Sequence, residues 1–269
     1  MVQKKNEKIL VSNHPKQKLM RLIQTLKNRL TAYIRLTREC IAPTKFVSGK
    51  EIPVIINNFN RLTTLKQLVE SLEKRGYRNI YILDNDSTYP PLLEWYKECG
   101  YEVIYLGQNI GFKALWKDKS VRKRFCSDYY IYTDSDVKLS DDCPDDIIDR
   151  IFHLLKDKYR LAAKIGLHIR IDNLPDCYAN KAKVIEFESK AAVTPNADSL
   201  ERRPTDTTLA IYRPHTGLCR SRSIEAYRTI RPLSIDHLPW YMDTQNLSDE
   251  EKYYIAHTAK PTLWTSKCK

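Results

Sequence analysis

The chain has 269 residues, of which 42% are hydrophobic and 29% charged, a composition ordinary for a globular protein with a sizeable core. It contains no apolar run of about 18 residues and no signal-peptide pattern at its start, so we expect neither a membrane span nor secretion. The seven cysteines are scattered without a CxxC pair, which favours a reducing cytosol over a disulfide framework or a zinc site.

The positive charge is concentrated at one end of the chain. Of the formal net charge of +12, residues 1–50 carry +10 and the other 219 residues carry +2. A nucleic-acid-binding domain needs a basic surface of its own. We therefore expect no nucleic-acid partner for the main part of the chain.

The first 46 residues are predicted to form a basic arm. Residues 1–15 are polar and predicted to be disordered, and residues 16–40 have the spacing of an amphipathic helix. Its predicted apolar face consists of Leu19, Ile23, Leu26, Leu30 and Tyr33. Such a basic helix either lies on an anionic membrane surface or packs on its own domain or a partner subunit. Residues 41–50, with a proline and a glycine, read as a linker to a domain spanning 51–269.

Strands and helices are predicted to alternate from residue 52 onward. The predicted strands are 52–56, 79–83, 101–106 and 129–133, and the predicted helices are 63–75, 91–98 and one opening at 111–117. Short turns between them indicate an α/β fold with parallel strands and right-handed crossovers. Ligands of such sheets bind beyond the carboxyl ends of the strands.

The second half of the chain is less regular. We predict a helix over 145–158 and strands over 161–169 and 207–212. The polar segment 172–204, with three prolines, is predicted to form a mobile flap.

Polar residues follow all four strands of the first half. The four segments are Asn57–Arg61, Asp84–Ser87, Gly107–Gly111 and Asp134–Asp136. Each one by itself is an ordinary turn sequence. Their coincidence at successive carboxyl ends predicts one polar site at that edge of the sheet.

The pair Asp134 and Asp136 carries the strongest chemical signal. Two carboxylates two residues apart after a strand repel each other unless a cation lies between them. Oxygen ligands suit a hard divalent ion such as Mn²⁺ or Mg²⁺, which can also bind a diphosphate. The alternative is a solvated acidic turn, because four more aspartates follow between 141 and 146.

These segments, in this order, resemble the donor half of GT-A glycosyltransferases. The resemblance covers about residues 52–140 and is strongest to bacterial enzymes related to glycosyltransferase family 2, which build cell-surface polysaccharides. It is looser around 206–208 and 237–241. The resemblance implies a GT-A fold with a donor half at 51–140 and an acceptor half at 141–269.

The resemblance also implies a donor site for a UDP- or GDP-sugar with a divalent cation. The donor-binding residues would be Asn57, Asn58, Asn60, Arg61, Asp84, Asn109, Lys113, Asp134 and Ser135. Asp134 and Asp136 would bind the metal, with His237 as a third metal or pyrophosphate group. The alternative for His237 is a histidine with a structural role only.

Catalysis would need a carboxylate that takes the proton of the acceptor hydroxyl. Asp206 is the first candidate and Asp236 the second, and attack opposite the leaving group would invert the anomeric centre. The acceptor would be a glycan or a lipid-linked glycan, and its predicted contacts are Arg213, His215, Trp240 and Tyr241. Trp240 and Tyr241 are equally explained as core aromatics.

Two other functions compete with glycosyl transfer. A sugar nucleotidyltransferase would share the sheet and the acids, but its first loop is usually rich in glycine, whereas residues 57–61 contain none. A non-catalytic, membrane-associated scaffold would use the basic helix alone. Dehydrogenases and P-loop enzymes are disfavoured because GxGxxG and GxxxxGK[ST] are missing.

Overall fold

The structure is a computed structural model that describes residues 15–190, 193–203, 209–216 and 226–258. The helices, in chain order, are α1 (Pro15–Ile41), α2 (Thr63–Glu73), α3 (Pro90–Glu98), α4 (Ala114–Lys117), α5 (Lys119–Phe125), α6 (Ile147–His153), α7 (Lys181–Lys190) and α8 (Asp249–His257). Short 3₁₀ turns lie at Gly49–Glu51, Gly111–Lys113 and Leu238–Tyr241, and a π-helical turn at Leu154–Lys158 extends α6.

Eleven strands occur in the described ranges. They are β1 (Val54–Asn58), β2 (Ile80–Asp84), β3 (Glu102–Tyr105), β4 (Tyr130–Asp134), β5 (Val137–Leu139), β6 (Lys164–Gly166), β7 (His168–Ile169), β8 (Leu200–Glu201), β9 (Ala210–Tyr212), β10 (Ala226–Thr229) and β11 (Ser234–His237).

Eight of these strands form one large sheet in the order β3-β2-β1-β4-β9-β6-β10-β8. Strands β1 to β4 pair in parallel, and six of the eight strands run in the same direction, with β8 and β9 opposed. Helices flank the sheet, and the predicted α/β fold with a mostly parallel sheet is confirmed. Strands β5, β11 and β7 form a second, small sheet.

The core lies on both faces of the large sheet. Along β1, Val54 and Ile56 belong to the cluster under α2, α3 and α6, whereas Ile55 belongs to the cluster under α4 and α5. All three side chains are almost fully buried. A strand covered on both faces is apolar at successive positions, which is why residues 52–56 read as a continuous apolar run.

Helix α2 shows how the local sequence sets one layer. Its residues Leu65, Leu68, Val69 and Leu72 recur at helical spacing and are all buried. Gly76 follows with a φ of +80°, a left-handed conformation that glycine adopts without steric cost. The helix therefore ends where the chain must turn back to begin β2.

Helix α1 confirms the predicted basic helix and packs on the main domain through its carboxyl-terminal part. Ala32 and Arg35 are buried, and an Nη of Arg35 donates to the carbonyl of Leu161 at 3.4 Å. The Glu39 carboxylate is bonded to the buried Arg213 and to the hydroxyl of Tyr129. In the described ranges, no helix combines the length and apolar content needed to cross a bilayer.

The second half differs most from expectation. The segment predicted to be a flap contains α7, whose Glu188 is buried against Arg228 at 2.8 Å and Arg203 at 3.4 Å. The predicted strand 161–169 is divided into β6 and β7, which belong to different sheets. Asp206, the first candidate base, lies outside the described residues.

Candidate active site

The carboxyl ends of β1 to β4 meet at one edge of the large sheet. The strand register places Asn58 beside Asp84, Asn57 beside Asp134, and Asp84 beside Tyr105. Four polar segments that are far apart in sequence are thus brought to one place. We call this edge the donor edge, after the donor site that the sequence predicts there.

A chain of amide hydrogen bonds connects the four strand ends. The side-chain nitrogen of Asn57 donates to a carboxylate oxygen of Asp134 at 3.2 Å, and that of Asn85 donates to the Asn57 carbonyl at 2.6 Å. Asn85 also bonds the loop after β3, accepting from the amide of Ile110 at 3.1 Å and donating to the carbonyl of Gly111 at 3.3 Å. Asn85 was not among the predicted site residues, although it stands in the segment after β2 that the sequence singled out.

Asp84 and Asn58 lie beneath this edge rather than at its surface. One Asp84 oxygen accepts from the hydroxyl of Tyr96 at 2.9 Å and the other from the amide of Ser87 at 3.0 Å. The side-chain nitrogen of Asn58 donates to the same tyrosine oxygen at 2.8 Å. Burial, followed by the Asp84 charge, raises the pKa of Tyr96 above its ordinary value, so the phenol stays neutral and donates to the carboxylate.

Asn60 holds two loops together. It adopts a φ of +52°, and its fully buried side-chain oxygen accepts from the amides of Thr88 and Tyr89 at 2.7 and 3.0 Å. Its own amide donates to the Ser87 hydroxyl at 2.9 Å. Asparagine tolerates the left-handed conformation better than most residues, which explains its place in this turn.

The second sheet brings His237 next to Asp136. Because β11 pairs with β5, His237 lies opposite Val137, and its Nε2 is 3.8 Å from a carboxylate oxygen of Asp136. The amide of Leu238 also donates to the Asp136 carbonyl at 2.8 Å. The ring of His237 lies 4.6 Å, between centroids, from that of the buried Trp240.

This pair fits part of a metal site. Two ligand atoms on one divalent ion with bonds of about 2.1 Å lie roughly 3.0 to 4.2 Å apart, and the oxygen and nitrogen of Asp136 and His237 fall in that range. Across the described ranges, no group of three or more His, Cys, Asp or Glu side chains is gathered as a metal site. A metal held here would therefore take its further ligands from Asp134 after a shift, from water or from a diphosphate.

Arg61 is held by a helix that the sequence did not predict. Its guanidinium makes two bonds to Glu251 of α8, at 2.6 and 3.2 Å, and lies 3.8 Å over the ring of Tyr254. Burial alone would lower the pKa of Arg61, but the charges of Glu251 and then Asp136 raise it above its ordinary value. The carboxylate of Asp136 is thus close enough to interact electrostatically with this buried cation.

Helix α8 also fastens the two loops of the donor edge. Glu250 accepts from the amides of Leu62 and Thr63, both at 3.0 Å, at the start of α2, where unpaired N–H groups favour a carboxylate. The hydroxyl of Tyr253 donates to the carbonyl of Thr88 at 3.0 Å. A sequence signal for α8 does exist, since a serine cap is followed by three acids at 249–251.

A cavity of about 310 Å³ adjoins Arg61 and the 3₁₀ turn that follows His237. Apolar side chains from the turn and its following loop form part of its wall, and polar side chains from α2 and α8 form the rest. The lining residues are Arg61, Thr63, Thr64, Leu238, Pro239, Met242, Asp243, Asn246, Leu247, Ser248, Glu250 and Glu251. A mixed wall of this kind suits a sugar, which has apolar faces and hydroxyl edges.

The other predicted donor residues lie around the same edge. Asn109 is exposed and accepts from the amide of Gly111 at 3.0 Å. The Lys113 ammonium lies 5.2 Å from the ring centre of Phe112, which is itself exposed. Ser135 is buried, and its amide donates to the carbonyl of Asn57 at 3.1 Å.

The structure does not bring Arg213 and His215 to the donor edge. Strand β9 is antiparallel to β4, with Tyr212 opposite Tyr130, so the residues after β9 lie at the opposite edge of the sheet. The Arg213 guanidinium is buried there among backbone carbonyls and Glu39. The predicted acceptor contacts of these two residues are therefore separated from Asp134 by the length of the strand.

Asp236 lies on the other side of β11 from His237, because successive strand residues point to opposite faces. Its carboxylate is buried and accepts from the Ser140 hydroxyl at 3.0 Å, with an Arg170 nitrogen at 3.6 Å. The Tyr241 hydroxyl donates to the same oxygen at 3.3 Å. The predicted alternative base is thus part of a buried polar network, and Tyr241 belongs to that network.

No protein-family model matches the chain, and no curated protein matches it in sequence. Among solved structures it is similar to the mannosyltransferase PcManGT from Pyrobaculum calidifontis, determined with GDP-Man and Mn²⁺, at 14% identity and a TM-score of 0.45, covering 90% of this chain and 76% of that one. It is also similar to TarS from S. aureus, at 14% identity and a TM-score of 0.33, covering 47% of this chain and 23% of that one. A glucose-1-phosphate thymidylyltransferase structure from Bacillus anthracis gives 14% identity and a TM-score of 0.34, covering 60% and 71%.

Proposed function

We propose that this protein is a metal-dependent glycosyltransferase of the GT-A type that uses a UDP- or GDP-sugar. The observation that carries the proposal is the turn after β4, where Asp134 is bonded to Asn57 and Asp136 lies 3.8 Å from His237. Carboxylates, amides and an imidazole gathered at the carboxyl ends of parallel strands suit a nucleotide diphosphate and its cation.

Each group at the donor edge has a role in this proposal. The amide chain Asp134–Asn57–Asn85 sets the loops against which the nucleoside lies. Asp136 and His237 would hold the cation, and a bound cation would supply the positive charge that a departing diphosphate requires. Arg61, which Glu251 fixes in place, lies close enough to Asp136 to interact with it electrostatically and orient it.

The acceptor is proposed to bind next to the donor edge. The cavity beside Arg61 and Leu238 is the acceptor pocket, and a glycan or lipid-linked glycan of a bacterial surface polysaccharide is the proposed acceptor. Asp206 remains our first candidate for the base that deprotonates the acceptor hydroxyl, with inversion of the anomeric centre. A lipid-linked acceptor would place such an enzyme on the inner face of the cell membrane, as a peripheral protein.

The proposal is tested by measuring nucleoside diphosphate released from a panel of UDP- and GDP-sugars, with and without Mn²⁺. The Asp136→Asn variant should lose at least about 100-fold in rate, because a carboxylate that binds the metal is replaced by a neutral amide. Asp141→Asn is the matched control, since Asp141 belongs to the exposed acidic run five residues later and should keep its rate. Pyrophosphate release from a sugar phosphate and a nucleoside triphosphate would instead identify a nucleotidyltransferase, and equal rates for the two variants would reject the metal site.

A further inference from the structure

Helix α1 presents two opposite faces, and the domain uses only one of them. Ala32, Arg35 and Glu39 recur at helical spacing and face the domain. At about 100° per residue, these positions cluster around one direction of the helix axis. The direction opposite to it points away from the protein.

That outward face carries a long apolar stripe. Eight large apolar side chains between residues 19 and 34 are 42–70% exposed. All of them except Met20 fall within a sector about 120° wide, opposite the docking face. The stripe consists of Leu19, Leu22, Ile23, Leu26, Leu30, Tyr33 and Ile34. So large an apolar surface on one exposed helix marks an interaction site.

The charges beside the stripe are all positive. The exposed Lys27 and Arg38 lie along one margin and the exposed Arg29 along the other. Within Pro15–Ile41 the sequence has seven basic residues and a single acid, Glu39, which is turned inward to Arg213. The outward face therefore combines its apolar area with positive charges and no acid.

These charges favour an anionic lipid surface over a second copy of the helix as the partner of the stripe. The spacing of Leu19, Ile23, Leu26 and Leu30 would also suit pairing with a second copy of the helix. Such a pair would set Lys27 and Arg29 along its seam with no outward acid to offset them. An anionic bilayer accepts the stripe at the boundary of headgroups and acyl chains, and its phosphates and carboxylates neutralise the cations.

We infer that α1 docks this protein on an anionic lipid surface through the Leu19–Ile34 stripe. Since the carboxyl-terminal part of the helix is bonded to the domain, docking holds the domain in a defined orientation rather than on a loose tether. The inference does not depend on the proposed glycosyl transfer, because α1 contacts the domain beside Tyr129 and Arg213, at the edge of the sheet opposite the donor edge.

The test is co-sedimentation of the full chain with vesicles of phosphatidylcholine, with and without about 30% phosphatidylserine. The native chain should partition onto the anionic vesicles only and be released by salt. Leu26→Gln with Leu30→Gln should weaken partitioning at least about ten-fold at unchanged charge, because apolar area is lost. Lys27→Gln with Arg29→Gln should weaken it about thirty-fold, from two lost lipid attractions of about 1 kcal/mol each.

Thr31→Gln is the matched control, because Thr31 is exposed on the same helix away from the stripe, and it should bind like the native chain. All variants should unfold at the native temperature, since the changed side chains are exposed. Binding that is unchanged in the leucine variant, or equal on neutral vesicles, would overturn the inference. A dimer in solution that the leucine substitutions convert to a monomer would also overturn the inference, because the stripe would then bind a second copy of the chain.

Discussion

Glu251 is expected to stabilise the fold by several kcal/mol, because it is the carboxylate partner of the buried Arg61. The side chains of Arg61 and Glu251 are 5% and 9% exposed, so water screens their attraction very little. Replacing Glu251 by alanine leaves the guanidinium buried with the Tyr254 ring and without its two carboxylate bonds. Removing one member of a buried ion pair lowers the free energy of unfolding by about 3–5 kcal/mol. That is a large part of the total for a typical domain, which is about 5–15 kcal/mol.

The assay is urea unfolding followed by circular dichroism, with the slope of the transition compared between variants. Glu94→Ala is the matched control, because its pair with Lys97 is largely exposed and should change the unfolding free energy by less than about 0.5 kcal/mol. Removing both charges, as in Arg61→Met with Glu251→Leu, should restore most of the loss. A Glu251→Ala loss under about 1 kcal/mol with an unchanged slope would refute this reasoning, since Arg61 would then have another partner or reach water.

Three further outcomes follow from the described contacts. Burial, and then the Arg228 charge, lowers the pKa of His168 to about 4, so between pH 6.5 and about 4 only the unfolded chain gains this proton. As the pH falls through this range, the native chain should therefore lose about 1.4 kcal/mol of stability per pH unit relative to His168→Gln. Urea titrations measure both proteins, and parallel curves of stability against pH would contradict this. Asn85→Ala should weaken binding of UDP or GDP about ten-fold in calorimetry, with little change in unfolding temperature; unchanged affinity would remove the amide chain from the donor site. Gly49→Ala should destabilise the fold by about 1–3 kcal/mol in urea, because an added Cβ would lie 2.6 Å from the amide nitrogen of Asp149. Gly107→Ala is its control, because an added Cβ there meets no neighbour and only the strain of the left-handed backbone should lower stability.

Strand direction explains why Arg213 and His215 lie at the edge of the sheet opposite Asp134. Arg213 and His215 follow an apolar strand, just as Asp134 does, and the local pattern of the two strands is alike. The pairing of β9 with β4 is antiparallel, so the same position relative to the strand lies at the opposite edge. Local sequence encodes the period of a strand but not its direction within a sheet.

Helix α8 and its long-range bonds are likewise not predictable from the local sequence. Glu250 and Glu251 bond residues that lie 187 to 190 positions away in sequence. The helix has only one buried residue, and that residue is a glutamate, so it lacks the apolar face by which helices are predicted. Which charge a buried arginine pairs with is decided by folding, since local spacing carries no information on so distant a partner.

The amino-acid sequence by itself determined the first half of this protein. Apolar runs alternating with helical spacing predict parallel strands, and parallel strands end at one edge, so a shared edge for Asn57, Asp84 and Asp134 was predictable from the sequence. That β4 lies next to β1, which sets Asn57 beside Asp134, was decided by the tertiary structure. Only the tertiary structure decided that His237 lies beside Asp136, and that α1 has one face on the domain and one outward. Those arrangements depend on which surfaces meet across long sequence separations, and burial and charge pairing select them only in the folded chain.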